Sequence, residues 1–307
     1  MSRIHEALKK AAEERSSRLT TDASSNFADV AGDVTRSSLA EQQLTRPQLH
    51  AELRQPAADL SRLQFDDLIK KCAHPKWQID PRSSVFHGAD GHQVGAERFR
   101  TLRSRLYQIA GVQPLKKVLV TSSIPAEGKT FVASNLANSI VRQNDRRVLL
   151  IDADLRASRL HQTLGAPSVP GLSDYLRGDA DEFAIIQNGF DNNLCFIAGG
   201  TSVSNPSELL LGERMKRLLD LVSPIFDWII LDSPPALPVH DASMLAGLCD
   251  GVLFVVRAGR TDFEMAEKAS SEFRDKNLLG VVLNCVEKGD SYGNYYYGYP
   301  GTEKAPA

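Results

Sequence analysis

One octapeptide constrains this chain more than any other stretch: Ser123-Ile124-Pro125-Ala126-Glu127-Gly128-Lys129-Thr130. An apolar run, Val118-Leu119-Val120, precedes it, and a helical pattern from Phe131 to Arg142 follows. Strand, glycine-containing loop and helix in that order are the setting of a phosphate-binding loop. Backbone N–H groups at the turn and the helix N-terminus point toward a bound anion. In this reading Ser123, Ala126, Glu127, Gly128, Lys129, Thr130 and Phe131 surround a nucleotide. Lys129 reaches the β/γ-phosphates and the Thr130 hydroxyl ligates Mg²⁺. Ser123 stands where the pattern G-x-x-x-x-G-K-[ST] has its first glycine, and a small residue suits that turn. The bland alternative is a chance Gly-Lys-Thr at a strand–helix junction.

Two further acidic stretches fit the same site. Val148-Leu149-Leu150-Ile151 is four apolar residues in a row, as expected of a fully buried parallel strand. It ends in Asp152-Ala153-Asp154-Leu155-Arg156. Ligands of open α/β sheets bind outside the carboxyl ends of the strands, so Asp152 is expected beside the Mg²⁺ and phosphates. Phe226-Asp227-Trp228-Ile229-Ile230-Leu231-Asp232 repeats the design, with Asp232 as a second Mg²⁺ ligand, direct or through water. Asp241 is a weaker candidate for the same site. A single helix is expected from Asn205 to about Val222, then a strand over Gly251–Val256, a helix over Asp262–Lys276 and a strand over Leu279–Asn284. Strands alternating with helices predict an α/β fold of the P-loop NTPase type: a parallel sheet with helices on both faces.

The flanks differ in composition. Ile4, Ala7, Leu8 and Ala11 share one face of a short helix over Met1–Arg18, read either as docking on its own domain or as docking a partner. From Ser16 to about Leu60 the chain is polar and nearly free of aromatics, too little apolar surface to offset chain entropy, so a flexible linker is expected. Leu63, Phe65, Leu68, Ile69, Trp77 and Ile79 restore apolar character and suit a segment that wraps the next domain. The organisation expected is an N-terminal helix and partly disordered linker over 1–85, a nucleotide-binding domain over 86–290 and a flexible tail over 291–307. A net charge of −2 gives no reason to expect nucleic acid as a partner. Cys195, Cys249 and Cys285 lie in or beside apolar runs and read as small core residues in a reducing compartment. With no apolar run of about 18 residues and no secretory h-region, the expected location is cytosolic.

Two patterns remain. Glu97, Arg100 and Arg103 recur at a spacing of three on a helix whose other face carries Phe99, Leu102 and Leu106. Taken alone, such a charge run is an ion-paired solvated face. The tail holds Tyr292, Tyr295, Tyr296, Tyr297 and Tyr299, five of the chain's seven tyrosines, among small turn-forming residues. It reads as a low-complexity aromatic tail or, beside an ATP site, as a set of phosphoryl acceptors brought in at high effective concentration.

Across about residues 95 to 300 these stretches together resemble the bacterial tyrosine kinases that accompany capsule and exopolysaccharide assembly. The resemblance rests on the P-loop Ser123–Thr130, the second aspartate motif Leu150–Arg156, the Walker B element Ile229–Asp232, the helix with Glu97, Arg100 and Arg103, and the tyrosine cluster. It implies a protein-tyrosine autokinase using ATP and Mg²⁺, with Lys129, Asp152, Asp154 and Asp232 as catalytic residues and Asp152 the first candidate for accepting the phenol proton. Thr130, Asp152 and Asp232 would hold the metal, and the tail tyrosines would be phosphorylated in trans. It further implies ring-like self-association through Glu97, Arg100 and Arg103, a separate transmembrane adaptor that recruits and activates the kinase at the inner membrane face, and a counteracting tyrosine phosphatase. The opening Met1–Lys10 is similar to stand-alone versions from exosortase-linked loci. Two other readings stay open: a MinD/ParA-like positioning ATPase, against which stands Ile124 where that class has an extra lysine, and a non-catalytic scaffold that only switches with nucleotide.

Overall fold

The structure, a computed structural model, describes residues 64–86, 93–143, 145–190 and 193–286. All of them belong to one compact unit, Ala57–Ala307. The helix expected over Met1–Arg18, the polar linker and the tyrosine cluster lie outside the described residues.

A seven-stranded sheet runs through the unit in the order β3-β4-β2-β5-β1-β6-β7. The strands are β1 (Lys117–Ser122), β2 (Val148–Asp152), β3 (Ile186–Gln187), β4 (Leu194–Ile197), β5 (Trp228–Asp232), β6 (Gly251–Arg257) and β7 (Leu278–Asn284). Neighbours are parallel except the short edge strand β3, which runs antiparallel to β4. The strands form from uninterrupted apolar runs because both sheet faces are covered. Successive side chains go to opposite cores: Leu119, Leu149, Ile229 and Leu231 to one, Val118, Val120, Leu150 and Ile230 to the other. The first core is closed by the helices α5 (Leu172–Arg177), α7 (Pro206–Leu211), α8 (Glu213–Val222), α9 (Asp241–Ala246) and α10 (Phe263–Ser271). The second is closed by α2 (Gln93–Ala110) and α3 (Lys129–Val141), through Phe99, Leu106, Val132, Leu136 and Ile140.

Three local expectations change. The helix foreseen over Asn205–Val222 is broken at Gly212, whose extended backbone (φ −64°, ψ 155°) separates α7 from α8. The helix foreseen to Lys276 stops at Ser271, with a 3₁₀ turn over Arg274–Lys276. Cys285 is not a core residue: it is exposed just past the edge strand β7, with a positive φ of 56°.

The segment before α2 is a strap around the sheet edge. α1 (Phe65–Lys71) buries Phe65 and Leu68 in the first core, while Trp77 is buried in the second. Between them Ala73 pairs with β3: its N–H donates to the Ile186 carbonyl (3.1 Å) and its carbonyl accepts from Asn188 N–H (2.8 Å). Trp77 meets Phe190 and Phe196 edge-on, with centroids 4.9 and 6.0 Å away. Gly189 makes this possible, since a Cβ there would stand 2.2 Å from the indole. The strap ends on α3, where the Asn135 amide accepts from Val85 N–H (2.8 Å) and donates to the Ser83 carbonyl (3.0 Å). The compact body thus reaches back well before residue 86.

Replacing Trp77 by alanine is expected to lower the stability of the whole body by about 3–5 kcal/mol. The check is a fall in urea midpoint at unchanged m-value; an unmoved midpoint would make the strap peripheral.

Candidate functional site

The site is built where sheet topology brings three strand ends together. β1 lies between β5 and β6, and β5 lies between β1 and β2. Asp152 and Asp232 are direct register partners at the carboxyl ends of β2 and β5, and the P-loop leaves β1 beside them. Gly128 caps α3 in the left-handed region (φ 94°), and a Cβ there would lie 2.0 Å from the Asn284 amide nitrogen. Only glycine satisfies both demands.

Lys129 stands among three acids, Asp152, Asp154 and Asp232. Its ammonium donates to Asp154 at 2.7 Å and stands 3.8 Å from Asp232. The Thr130 hydroxyl donates to the other Asp232 oxygen at 2.6 Å. Burial works against the Lys129 charge, but attraction by Asp232 and Asp154 outweighs it and holds the ammonium above its ordinary pKa. Burial pushes Asp232 up to about 7, helped by repulsion from Asp152 and Asp154. Asp152 is raised for the same leading reason, burial. An acid excess at one lysine is a site built for a further cation.

The two aspartates of the second motif take different work. Asp152 is buried and fully engaged. One oxygen accepts from the Ser158 hydroxyl (2.7 Å) and from Arg159 and Leu160 N–H (3.1 and 3.0 Å), and the other from Asp154 N–H (3.3 Å). It thereby shapes the turn into α4 (Leu160–Leu164). Asp154 lines the open cleft beside Lys129, and its remaining bond is from Ala157 N–H at 3.1 Å. Asp241 does not join the site. Arg156 donates to it at 2.7 Å and the Ser207 hydroxyl at 2.6 Å.

Glu127, foreseen around the nucleotide, is not among the residues lining the cleft; its buried side chain braces the loop. The carboxylate accepts from Ile124 N–H (2.8 Å), from the Thr261 hydroxyl and from Arg257 N–H (3.4 Å). The Arg257 guanidinium donates to the Ala126 carbonyl (3.2 Å) and the Asn284 amide to the Glu127 carbonyl (2.9 Å). Arg257 and Thr261 carried no motif and were not foreseen. Of the charged stripe on α2, Glu97 and Arg100 form an exposed pair at 2.9 Å, while Arg103 turns inward to donate to the Ser139 carbonyl of α3.

The cleft has a volume of about 730 Å³ and extends past the P-loop. Lys129, Thr130 and Asp154 line it, together with the Pro234–Val239 turn, the strap residues Asp80, Arg82 and Ser83, and Arg159, Gln162 and Thr163. The strap's part here had no signal in the sequence. The residues fit a nucleotide with Mg²⁺: the Ser123 hydroxyl and Asp232 Oδ1 are buried without a hydrogen-bond partner, as groups awaiting a ligand are. Among the described residues no cluster of three or more His, Cys, Asp or Glu could hold a metal alone. Mg²⁺ sites built from one or two carboxylates, phosphates and waters have that character. No helix among the described residues is long and apolar enough to cross a membrane.

Comparison with known proteins gives four findings. Residues 119–299 match the family model described as the CobQ/CobB/MinD/ParA nucleotide binding domain. The tyrosine-protein kinase YwqD of Bacillus subtilis is 34% identical over 219 residues, which cover 70% of this chain and 91% of YwqD. EpsB of Ralstonia nicotianae is 35% identical over 223 residues, 69% of this chain but only 30% of EpsB, so the chain spans under a third of that relative. The solved kinase domain of the Escherichia coli tyrosine kinase ETK superposes with a TM-score of 0.61 at 34% identity, over 66% of this chain and 80% of that one.

The ligand-free protein is expected to lose stability as pH rises from about 4 to 7. Folded Asp232 keeps its proton up to about 7, whereas the unfolded chain releases it near 3.8, so the folded state binds more protons across that window. Asp152 acts with the same sign. Urea midpoints in EDTA at pH 5 and 7.5 should fall with pH, and Asp232→Asn should flatten the difference.

Proposed function

The chain belongs to the bacterial tyrosine-protein kinase family, and on that premise we propose that it is an ATP-dependent tyrosine autokinase whose acceptors are its own tail tyrosines. The observation that carries this reading is the cleft itself. A P-loop lysine and its carboxylate partner Asp154 both line the cleft, whose volume of about 730 Å³ in this reading takes a second substrate beside the nucleotide. ATP phosphates lie in the loop Ser123–Thr130, drawing Lys129 from Asp154 onto the β/γ-oxygens. Thr130 and Asp232, with Asp152 behind them, would hold Mg²⁺, which would supply charge neutralisation on those oxygens. The phenol oxygen of Tyr292, Tyr295, Tyr296, Tyr297 or Tyr299 attacks the γ-phosphorus. The new O–P bond forms as the bond to the β–γ bridging oxygen breaks and ADP leaves.

A phenol with a pKa near 10 needs its proton taken. Asp154 is the carboxylate for this work, because it faces the cleft and is set free when Lys129 turns to phosphate. Asp152 holds the loop that presents it. This assigns to Asp154 the role for which the sequence resemblance favours Asp152.

A tail reaches a neighbouring subunit's cleft when copies associate through the α2 face bearing Glu97 and Arg100. Each phosphate adds about −1.5 to −2 charge, so several on one tail loosen that association, and a tyrosine phosphatase resets it. In this reading a separate membrane adaptor recruits the protein to the inner membrane face, and the cycle times exopolysaccharide or capsule export.

Intact mass of the chain co-expressed with a candidate adaptor tail tests the reading. Added mass in multiples of one phosphate, absent in Lys129→Met and in a chain truncated before Tyr292, is the expected result. ATP hydrolysis without added phosphate would favour a MinD/ParA-like switch instead. Asp154→Asn should lower transfer by at least a hundredfold while nucleotide affinity stays within a few-fold. Loss of transfer in Asp152→Asn alone, with fold and nucleotide affinity intact, would move the proton-accepting role to Asp152.

A further inference from the structure

The cleft is lined by charges of both signs. Buried Asp152, Asp154 and Asp232 set an acidic field around Lys129. The same lining holds Arg82 beside Asp80 on the strap, and Arg156 and Arg159 on the turn into α4. Arg156 is committed, bridged to buried Asp241 and to the Ser207 hydroxyl (2.8 Å). Arg159 is exposed, and its guanidinium has no partner among the described residues; only its backbone N–H is used, by Asp152. The Arg82 side chain is 91% exposed and among the described residues meets only Asp80, with two contacts of 3.2 Å. A largely solvated pair of that kind is worth little and gives way readily to a doubly charged ligand. Gln162 and Thr163 add neutral polar groups to the lining.

A neutral tyrosine peptide has no use for two available guanidinium groups at this place. A phosphate monoester does, since arginine matches it with paired, charge-assisted hydrogen bonds. The tail offers acceptors side by side, Tyr295-Tyr296-Tyr297, with Tyr292 and Tyr299 close on either side. We propose that Arg82 and Arg159 form a phosphotyrosine-binding subsite, which holds an already phosphorylated tail residue while a neighbouring tyrosine lies at Lys129 and Asp154. This rests on the tyrosine-kinase reading and deepens it: the preferred substrate is a tail that already carries one phosphate, so modification of the cluster is self-reinforcing. The carboxylate of Asp154 repels the product phosphate, and the two arginines of the same cleft receive it. Two arginines match one phosphate, and further phosphates on the same tail go unmatched.

The test uses binding, so that it stands apart from catalysis. Fluorescein-labelled peptides of sequence 290–300, unmodified or phosphorylated at Tyr296 alone, are titrated with the full chain after phosphatase treatment and phosphatase removal. ADP and Mg²⁺ are kept saturating so that the P-loop is occupied. Anisotropy should show the phosphopeptide binding at least tenfold more tightly. The Arg82→Ala/Arg159→Ala double variant, with its urea midpoint as a check on folding, should lose that preference, and Arg82→Lys/Arg159→Lys should restore part of it. Equal binding of the two peptides by the native chain, or a preference that survives in the double alanine variant, would overturn the subsite. A chain that adds phosphate to its tail yet shows no such preference refutes the subsite alone. A preference in a chain that never phosphorylates itself refutes the kinase reading alone.

Discussion

One buried lysine facing an excess of buried carboxylates is the constraint on which the rest depends. Three acids near one ammonium, almost out of water, are not a stable arrangement for their own sake. Removing charge from water costs several kcal/mol per ion, and a lone lysine cannot offset three. The protein answers in part by raising the pKa of Asp232 and of Asp152, chiefly through burial. It answers further by tying Asp152 into four hydrogen bonds. What is left uncompensated, Asp232 Oδ1 and the face of Asp154, lies where a cation and phosphates are to arrive. The electrostatic cost of gathering these acids and their readiness for a cation are one property.

Holding that site in shape requires bracing from the side of the sheet opposite the aspartates. Glu127 draws the P-loop backbone onto the ends of β6 and β7 through Arg257, Thr261 and Asn284. The loop amides are therefore fixed before any phosphate arrives, which is how preorganised donors avoid reorganisation during reaction. β7 also leads to the tyrosine-bearing end of the sequence, so the root of the tail and the floor of the nucleotide site share one hydrogen bond, from Asn284 to the Glu127 carbonyl.

The strap makes the opposite wall. It begins in one core, crosses the antiparallel edge strand β3 and ends in the other core, pinned to α3 by Asn135. Its last turn adds Asp80, Arg82 and Ser83 to the lining of the cleft that Arg159 and the P-loop also line.

Much of this was legible in the linear sequence. Gly128-Lys129-Thr130 between an apolar run and a helical pattern, and Asp152 and Asp232 each closing an apolar run, specify strand ends and loop because local pattern decides them: both faces of the sheet are buried, and only unbroken apolar strands serve. The chemistry of a P-loop is likewise carried by adjacent residues. Tertiary structure decided what depends on distant segments meeting. Asp152 and Asp154 are two residues apart, yet one is consumed by the α4 turn and the other faces the cleft, because Ser158, Arg159 and Leu160 fold back on the first. Glu127 becomes a brace because Thr261, 134 residues away, lies beside it. Arg82 joins the site because the strap crosses the sheet edge, a path set by where Trp77 finds a pocket against Phe190 and Phe196. No spacing records these encounters; they follow from the order in which the strands lie side by side.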